Sequence, residues 1–139
     1  MMIKDPYLDE LFKPRFTWFI GVLDVYDREE TLGIELGAYN PDISEDRERL
    51  IRKYCLNLPY LSYRHKFVLF EALEEALSDS AYDFESLFDI DESETCSWPR
   101  AEWYSLESPR CFFSDVYRLA AEIWREDIDK AAREDRSTW

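Results

Sequence analysis

Ten carboxylates fall within the thirty-three residues from Phe67 to Pro99, and no lysine or arginine interrupts them. They are Glu71, Glu74, Glu75, Asp79, Asp83, Glu85, Asp89, Asp91, Glu92 and Glu94. Carboxylates at this density can serve paired acid–base catalysis, cation ligation, or the presentation of one electrostatic sign to a partner. The first carries little weight in a chain with 31 acidic residues, where some close pair is inevitable. The second fails on spacing. Asp89-Ile90-Asp91-Glu92-Ser93 opens like a calcium loop, but the sixth and twelfth positions, which need glycine and a bidentate acid, hold Glu94 and Arg100. The third fits. Residues 1–66 carry twelve acids against ten bases, and residues 100–139 nine against seven, so −10 of the formal −14 sits in this one stretch.

Other chemistries are short of residues. His65 is the only histidine, so a two-histidine site within one chain is impossible, and a Ser–His or Cys–His dyad would need its partner delivered by the fold. The three glycines, Gly21, Gly33 and Gly37, form no phosphate-cradling loop. Cys55, Cys96 and Cys111 are odd in number and match no zinc spacing, which predicts reduced thiols and a cytoplasmic protein. Cys55 and Cys111, in apolar helical contexts, are expected to be buried, and Cys96 to be the accessible thiol. Arg47, Arg49, Arg52 and Lys53 form one short basic stripe diluted by neighbouring acids, which argues against nucleic-acid binding. The opening Met-Met-Ile-Lys-Asp-Pro has no apolar run suited to a signal peptide, and nothing approaches a membrane span. No catalytic residue, metal or cofactor is expected.

The acid run is interleaved with Phe70, Tyr82, Phe84, Leu87, Phe88 and Ile90, which must pack somewhere, so the run is expected to be folded. Its lack of compensating bases, together with interface-favoured rings, makes it the expected partner-binding surface. The residues assigned to that surface are Asp79, Tyr82, Asp83, Glu85, Asp89, Asp91, Glu92, Glu94 and Trp98.

The elements that would position this surface read as one α+β domain over residues 1–139. Tyr7 to Phe12 suggests a short helical turn. Phe16 to Tyr26 is dense in aromatic and β-branched residues and suits a covered strand. Thr31 to Tyr39 alternates, with Leu32, Ile34, Leu36 and Ala38 on one face. Together they predict an N-terminal antiparallel β-hairpin, with rings from a neighbouring element lying over Gly33 and Gly37, packed against about three helices. The first helix is expected from the cap signal Asp42-Ile43-Ser44-Glu45 to about Leu56, and the second from Ser62 to about Ser78. A short helix is expected around Phe84–Phe88, and a short strand or ordered loop over 97–106. Ser108-Pro109 then opens one long final helix burying Phe113, Val116, Tyr117, Ala120, Trp124, Ile128 and Ala131. The spacings Glu45/Arg49, Glu48/Arg52, Asp115/Arg118, Glu126/Lys130 and Asp129/Arg133 predict ion pairs on the first and last helices.

A small, acidic, unbridged α+β domain that lacks a catalytic motif, and whose carboxylates from Glu71 to Glu94 are interleaved with rings, resembles the bacterial immunity proteins. These are the antitoxins of contact-dependent growth inhibition and other polymorphic toxin systems. The resemblance implies 1:1 binding to a cognate toxin domain, commonly a basic nuclease, by covering its active site or substrate groove. Electrostatics agrees, since an acidic surface can occupy a groove built for phosphates. A nucleic-acid mimic of anti-restriction type would use the same charge, and a small enzyme or adaptor is the reading from another class.

Overall fold

The computed structural model describes residues 3–88, 98–99, 103 and 106–139. Asp89, Asp91, Glu92, Glu94 and Cys96 lie outside the described residues. The architecture is helical, which overturns the expected α+β fold. Among the described residues no sheet forms, and the one β-type pairing is an isolated antiparallel bridge between Lys4 and Leu11. Asp5 N–H to Glu10 C=O and Phe12 N–H to Ile3 C=O close this N-terminal segment into a small loop, where a helical turn was expected.

The expected hairpin is two short helices, α1 (Thr17–Ile20) and α2 (Leu32–Leu36), with a 3-10 turn at Gly21–Leu23 after the first. Burial explains the misreading. Phe16, Phe19, Ile20 and Leu23 are all buried, a 3.6-residue spacing, whereas a strand would bury every second residue. In α2, Leu36 is wholly buried while Ile34 is 71% exposed, so the apparent alternation places these two on opposite sides of a helix. The glycines are used differently as well. Gly33 faces the chain's own preceding turn, with Arg28 O, Glu29 Cβ and Val25 Cβ at 3.6–3.7 Å from where a Cβ would stand. At Gly37 a Cβ would come within 2.8 Å of Gly33 O. Among the described residues, the atoms nearest to either position belong to no ring.

Helix α3 (Ser44–Leu50) continues into a wide π turn, Ile51–Cys55. Its expected side-chain cap is absent: Asp42 accepts from the Glu107 amide and Asp46 from the Asn40 amide. Helix α4 (Tyr63–Ser78) starts at Ser62 as its capping residues predict, and buries Val68, Leu69, Leu73 and Ala76. A 3-10 turn follows at Glu85–Phe88. Helix α5 (Pro109–Ile123) is opened by Ser108, whose side chain accepts from the Cys111 amide, with proline at the first position. The expected single final helix is broken at Trp124, and α6 (Arg125–Ala132) packs on α4 together with α5. A last 3-10 turn, Arg136–Thr138, carries Trp139 back against Phe67. No helix among the described residues is long and apolar enough to cross a membrane.

Large rings fill the interior. Phe19 stacks on Trp124 at one end, and Phe84, Phe88, Trp98, Trp103, Phe112 and Phe113 form a continuous cluster at the other. Cys55 is inside, and burial pushes its thiol far up from its ordinary value. Cys111 is exposed, contrary to expectation, because it precedes the buried pair Phe112 and Phe113 on α5 and falls on the outer side. A maleimide reagent should therefore modify Cys111 in the native protein and Cys55 only after denaturation. Cys55 labelling at the rate of Cys111, followed by peptide mass spectrometry, would contradict this packing.

Candidate functional site

The last turn of a helix leaves carbonyls without intrahelical donors, and burying them demands another partner. At the end of α4 that partner is Arg110, from the first turn of α5. Its guanidinium donates to Leu77 O at 3.2 Å, to Asp79 O at 2.9 Å and to Tyr82 O at 3.1 Å. The same group lies 4.8 Å from the centre of the Phe84 ring. One side chain thus closes α4 and fastens the segment carrying four of the predicted surface residues, Asp79, Tyr82, Asp83 and Glu85.

Within this segment the acids shape the backbone. Asp79 accepts from the Ala81 amide at 2.9 Å. Asp83 accepts from the amides of Glu85 and Ser86 at 3.0 and 3.2 Å, starting the 3-10 turn in the way a helix cap would. Beneath them Tyr82 packs between Phe16 and Phe84, with ring centroids 5.5 and 4.6 Å away, and Phe84 rests on Phe113. Partial burial and then the Asp83 charge raise the Tyr82 pKa, so its hydroxyl stays protonated. Asp79, Asp83 and Glu85 are exposed above this ring platform and Tyr82 is half-buried within it.

Tyr82 is the shared wall of two shallow clefts. One, of about 260 Å³, has Asp83, Glu85 and Glu107 at its rim and Arg110 in its wall; the other, of about 350 Å³, has Glu75 and Asp79 beside Pro14 and Phe16. None of Glu75, Asp79, Asp83 and Glu85 makes an ion pair among the described residues. Acids elsewhere are more often bridged. Arg47 meets Asp115 at 2.7 Å, Arg52 meets Glu48 and Glu122 at 3.2 and 3.1 Å, and Arg118 reaches Glu48 and Asp115 at 3.7 Å. Of the spacings expected to pair, Glu48/Arg52 and Asp115/Arg118 do so, while Glu45/Arg49, Glu126/Lys130 and Asp129/Arg133 do not. Glu71, the first acid of the run, is bridged to Arg136 at 2.8 Å, so the uncompensated surface begins further along α4.

Trp98, expected as an exposed anchor, is a core residue. It is 8% exposed, packs on Phe88 and Trp103, and donates its indole N–H to Phe88 O at 2.9 Å. Sequence reasoning missed Arg110 and Glu107. A signal for Arg110 was present: a cation in the first turn of a helix opposes the macrodipole, and so needs a local reason to be there.

Among the described residues, the catalytic-looking geometry is Ser62 Oγ at 2.7 Å from His65 Nδ1. Its surroundings make it a helix cap. Ser62 Oγ accepts from the His65 amide, and the Ser62 amide donates back to Nδ1, both at 3.3 Å. Nε2 reaches Lys4 O at 2.5 Å, and the Phe12 ring stands edge-on at 4.7 Å. The bonds to Nδ1 and Nε2 are jointly satisfied by the neutral tautomer protonated on Nε2, which ties the N-terminal loop to α4. Neither Ser62 nor His65 lines the clefts beside Tyr82.

No protein family, curated protein or solved structure was found to match the chain.

Proposed function

We propose that this protein is a binding inhibitor whose Tyr82 face docks a basic partner, in the manner of an immunity protein covering the active site or substrate groove of a toxin domain. The observation that carries the reading is the arrangement around Tyr82. An aromatic wall separates two clefts, unpaired carboxylates stand on both sides, and an arginine clamp fixes the whole segment from beneath. Each cleft is of a size to take one lysine or arginine head group, and Tyr82 offers a ring face between them. Because the clamp holds the segment before binding, little ordering cost is added on association. The reading rests on charge, rings and rigidity.

The test is isolation of a partner by tagged capture, followed by measurement of its association with purified protein. Association should slow steeply with salt, since exposed charges are screened beyond about 8 Å at physiological ionic strength. Replacing Glu75, Asp79, Asp83 and Glu85 by their amides should weaken binding about 10- to 100-fold at low salt. The same number of amides at Glu29, Glu30, Glu45 and Glu126 should change it less than about 3-fold. A partner whose binding is insensitive to the first set, or equally sensitive to both, removes this face from the interface. Capture of a DNA-processing enzyme of the host, in place of a toxin domain, would move the reading to nucleic-acid mimicry.

A further inference from the structure

The two clefts that share Tyr82 differ in chemistry. Arg110 lines one of them together with Asp83, Glu85 and Glu107, so its carboxylates share a wall with a cation. The other, of about 350 Å³, has Glu75 and Asp79 and no base in its described lining. The rest of that lining is apolar. Ala72 and Ala76, one turn apart on α4, present two methyl groups to it. Pro14 and the Phe16 and Tyr82 rings complete it, the two rings 5.5 Å apart between centres and inclined at 65°. The cleft is thus an apolar slot with two carboxylates.

Both carboxylates have capacity to spare. Glu71, one turn earlier on the same face of α4, is neutralised by Arg136, whereas Glu75 has no hydrogen bond or ion pair among the described residues. Asp79 commits one oxygen, to the Ala81 amide at 2.9 Å. Both residues are exposed. The helix adds to their field, because the cleft lies against the last turn of α4, where aligned peptide dipoles leave partial negative charge. The bases nearest in sequence are Lys13 and Arg15, either side of Pro14; both are exposed, and neither lines the cleft. The attraction for a cation therefore comes from the α4 side.

We propose that this cleft is an arginine slot, which takes the guanidinium of one exposed arginine on the basic partner and discriminates against lysine. The inference rests on the Tyr82 face being a docking surface, and names the side chain that the face selects. A guanidinium is planar, weakly hydrated and able to stack on rings, so it enters an apolar slot with less loss of hydration than a compact ammonium. Its fork can meet carboxylates set four residues apart, which a point donor does less well. The methylene stem of the arginine covers the alanine methyls. Arg110 leaves the other cleft without this preference, because an incoming guanidinium there meets a cation already in the wall.

The experiment is an NMR titration of the full chain, at low salt, with a blocked glycine peptide carrying one central arginine. Shifts should centre on the Ala72 and Ala76 methyls and the Tyr82 ring, and should saturate with a Kd of about 1–5 mM. Lysine in place of the arginine should weaken binding at least about 5-fold, and citrulline, its uncharged isostere, should abolish saturation. Glu75→Gln, an exposed change, should weaken the arginine peptide about 3- to 10-fold, and Glu85→Gln, on the other cleft, less than about 2-fold. Ala72→Gln projects a longer side chain into the slot and should remove binding, with the melting temperature checking the fold. Equal binding of the lysine peptide, shifts centred on Glu85 and Glu107, or an undiminished affinity in Glu75→Gln and Ala72→Gln would each overturn the slot while leaving the Tyr82 face as a site for cations. Loss of every shift around Tyr82 with both peptides would overturn the two together.

Discussion

Arg110→Ala should lower the stability of the protein by about 2–3 kcal/mol, the range for losing charge-assisted hydrogen bonds to partly buried carbonyls. Three backbone carbonyls, those of Leu77, Asp79 and Tyr82, lose their shared donor at once, and Phe84 loses the cation above its ring. The three bonds do not add, because water can reach part of the segment once the guanidinium is gone. Arg110→Lys separates charge from geometry. It keeps the cation but replaces a planar fork with a single point donor, and should still cost about 1–2 kcal/mol. Chemical denaturation of both variants gives the values, and limited proteolysis should show the first new cleavages between Ser78 and Phe88. A lysine variant as stable as the native protein would mean that charge alone acts here, and that the fork contributes nothing.

Trp124→Ala should be still more damaging, at about 3–5 kcal/mol, as for other large buried aromatics truncated to alanine. Trp124 is 3% exposed, stacks on Phe19 at 5.9 Å, carries Lys66 Nζ 5.6 Å from a ring centre and donates its indole N–H to Leu56 O at 3.1 Å. It is also the residue at which α5 ends and α6 begins. Trp124→Phe keeps a ring against Phe19 and removes the donor, leaving Leu56 O unsatisfied in the interior, and should cost about 1–3 kcal/mol. Urea midpoints at constant slope would measure both. If the phenylalanine variant loses nothing, the indole bond does not help to set the break between the two helices.

The two halves of the chain were unequally legible. From Ser62 onward the helix starts are signalled locally and the structure follows them, with a serine cap opening α4, Ser108-Pro109 opening α5 and a short turn at Glu85–Phe88, whereas the break of the final helix at Trp124 has no such signal. Before Ser44 the composition misleads. Rings and β-branched residues from Phe16 to Tyr26 favour a strand locally, yet burial at 16, 19, 20 and 23 is helical, and tertiary packing decides between them. The glycines strengthened the error, since a glycine beside its own preceding turn and one beneath a foreign ring look identical in sequence. At the candidate site the carboxylates and Tyr82 could be read from the uncompensated run. What holds them could not, because Arg110 acts across a gap of about thirty residues that no local pattern reports. Trp98 was misplaced for a related reason: a tryptophan in a polar stretch gives no sign of whether its neighbours in space are polar.

The π turn after α3 uncouples chain length from register. The Leu56 amide reaches back five residues to Ile51 O at 3.1 Å, so the turn holds one residue more than a regular α-helical turn. Loss of a residue from the middle of α4 would rotate everything after it by about 100° and turn its buried stripe outward. Loss of one between Ile51 and Cys55 would instead let the helix close with ordinary spacing and leave Leu56 and the segments beyond it in phase. What would be lost is the aim of Lys53 and Tyr54, both of which the wide turn directs at Glu35 on α2. The wide turn therefore does two things at once: it sets Ile51 and Cys55 into the core against α1 and α5, and it turns Lys53 and Tyr54 outward to one surface contact.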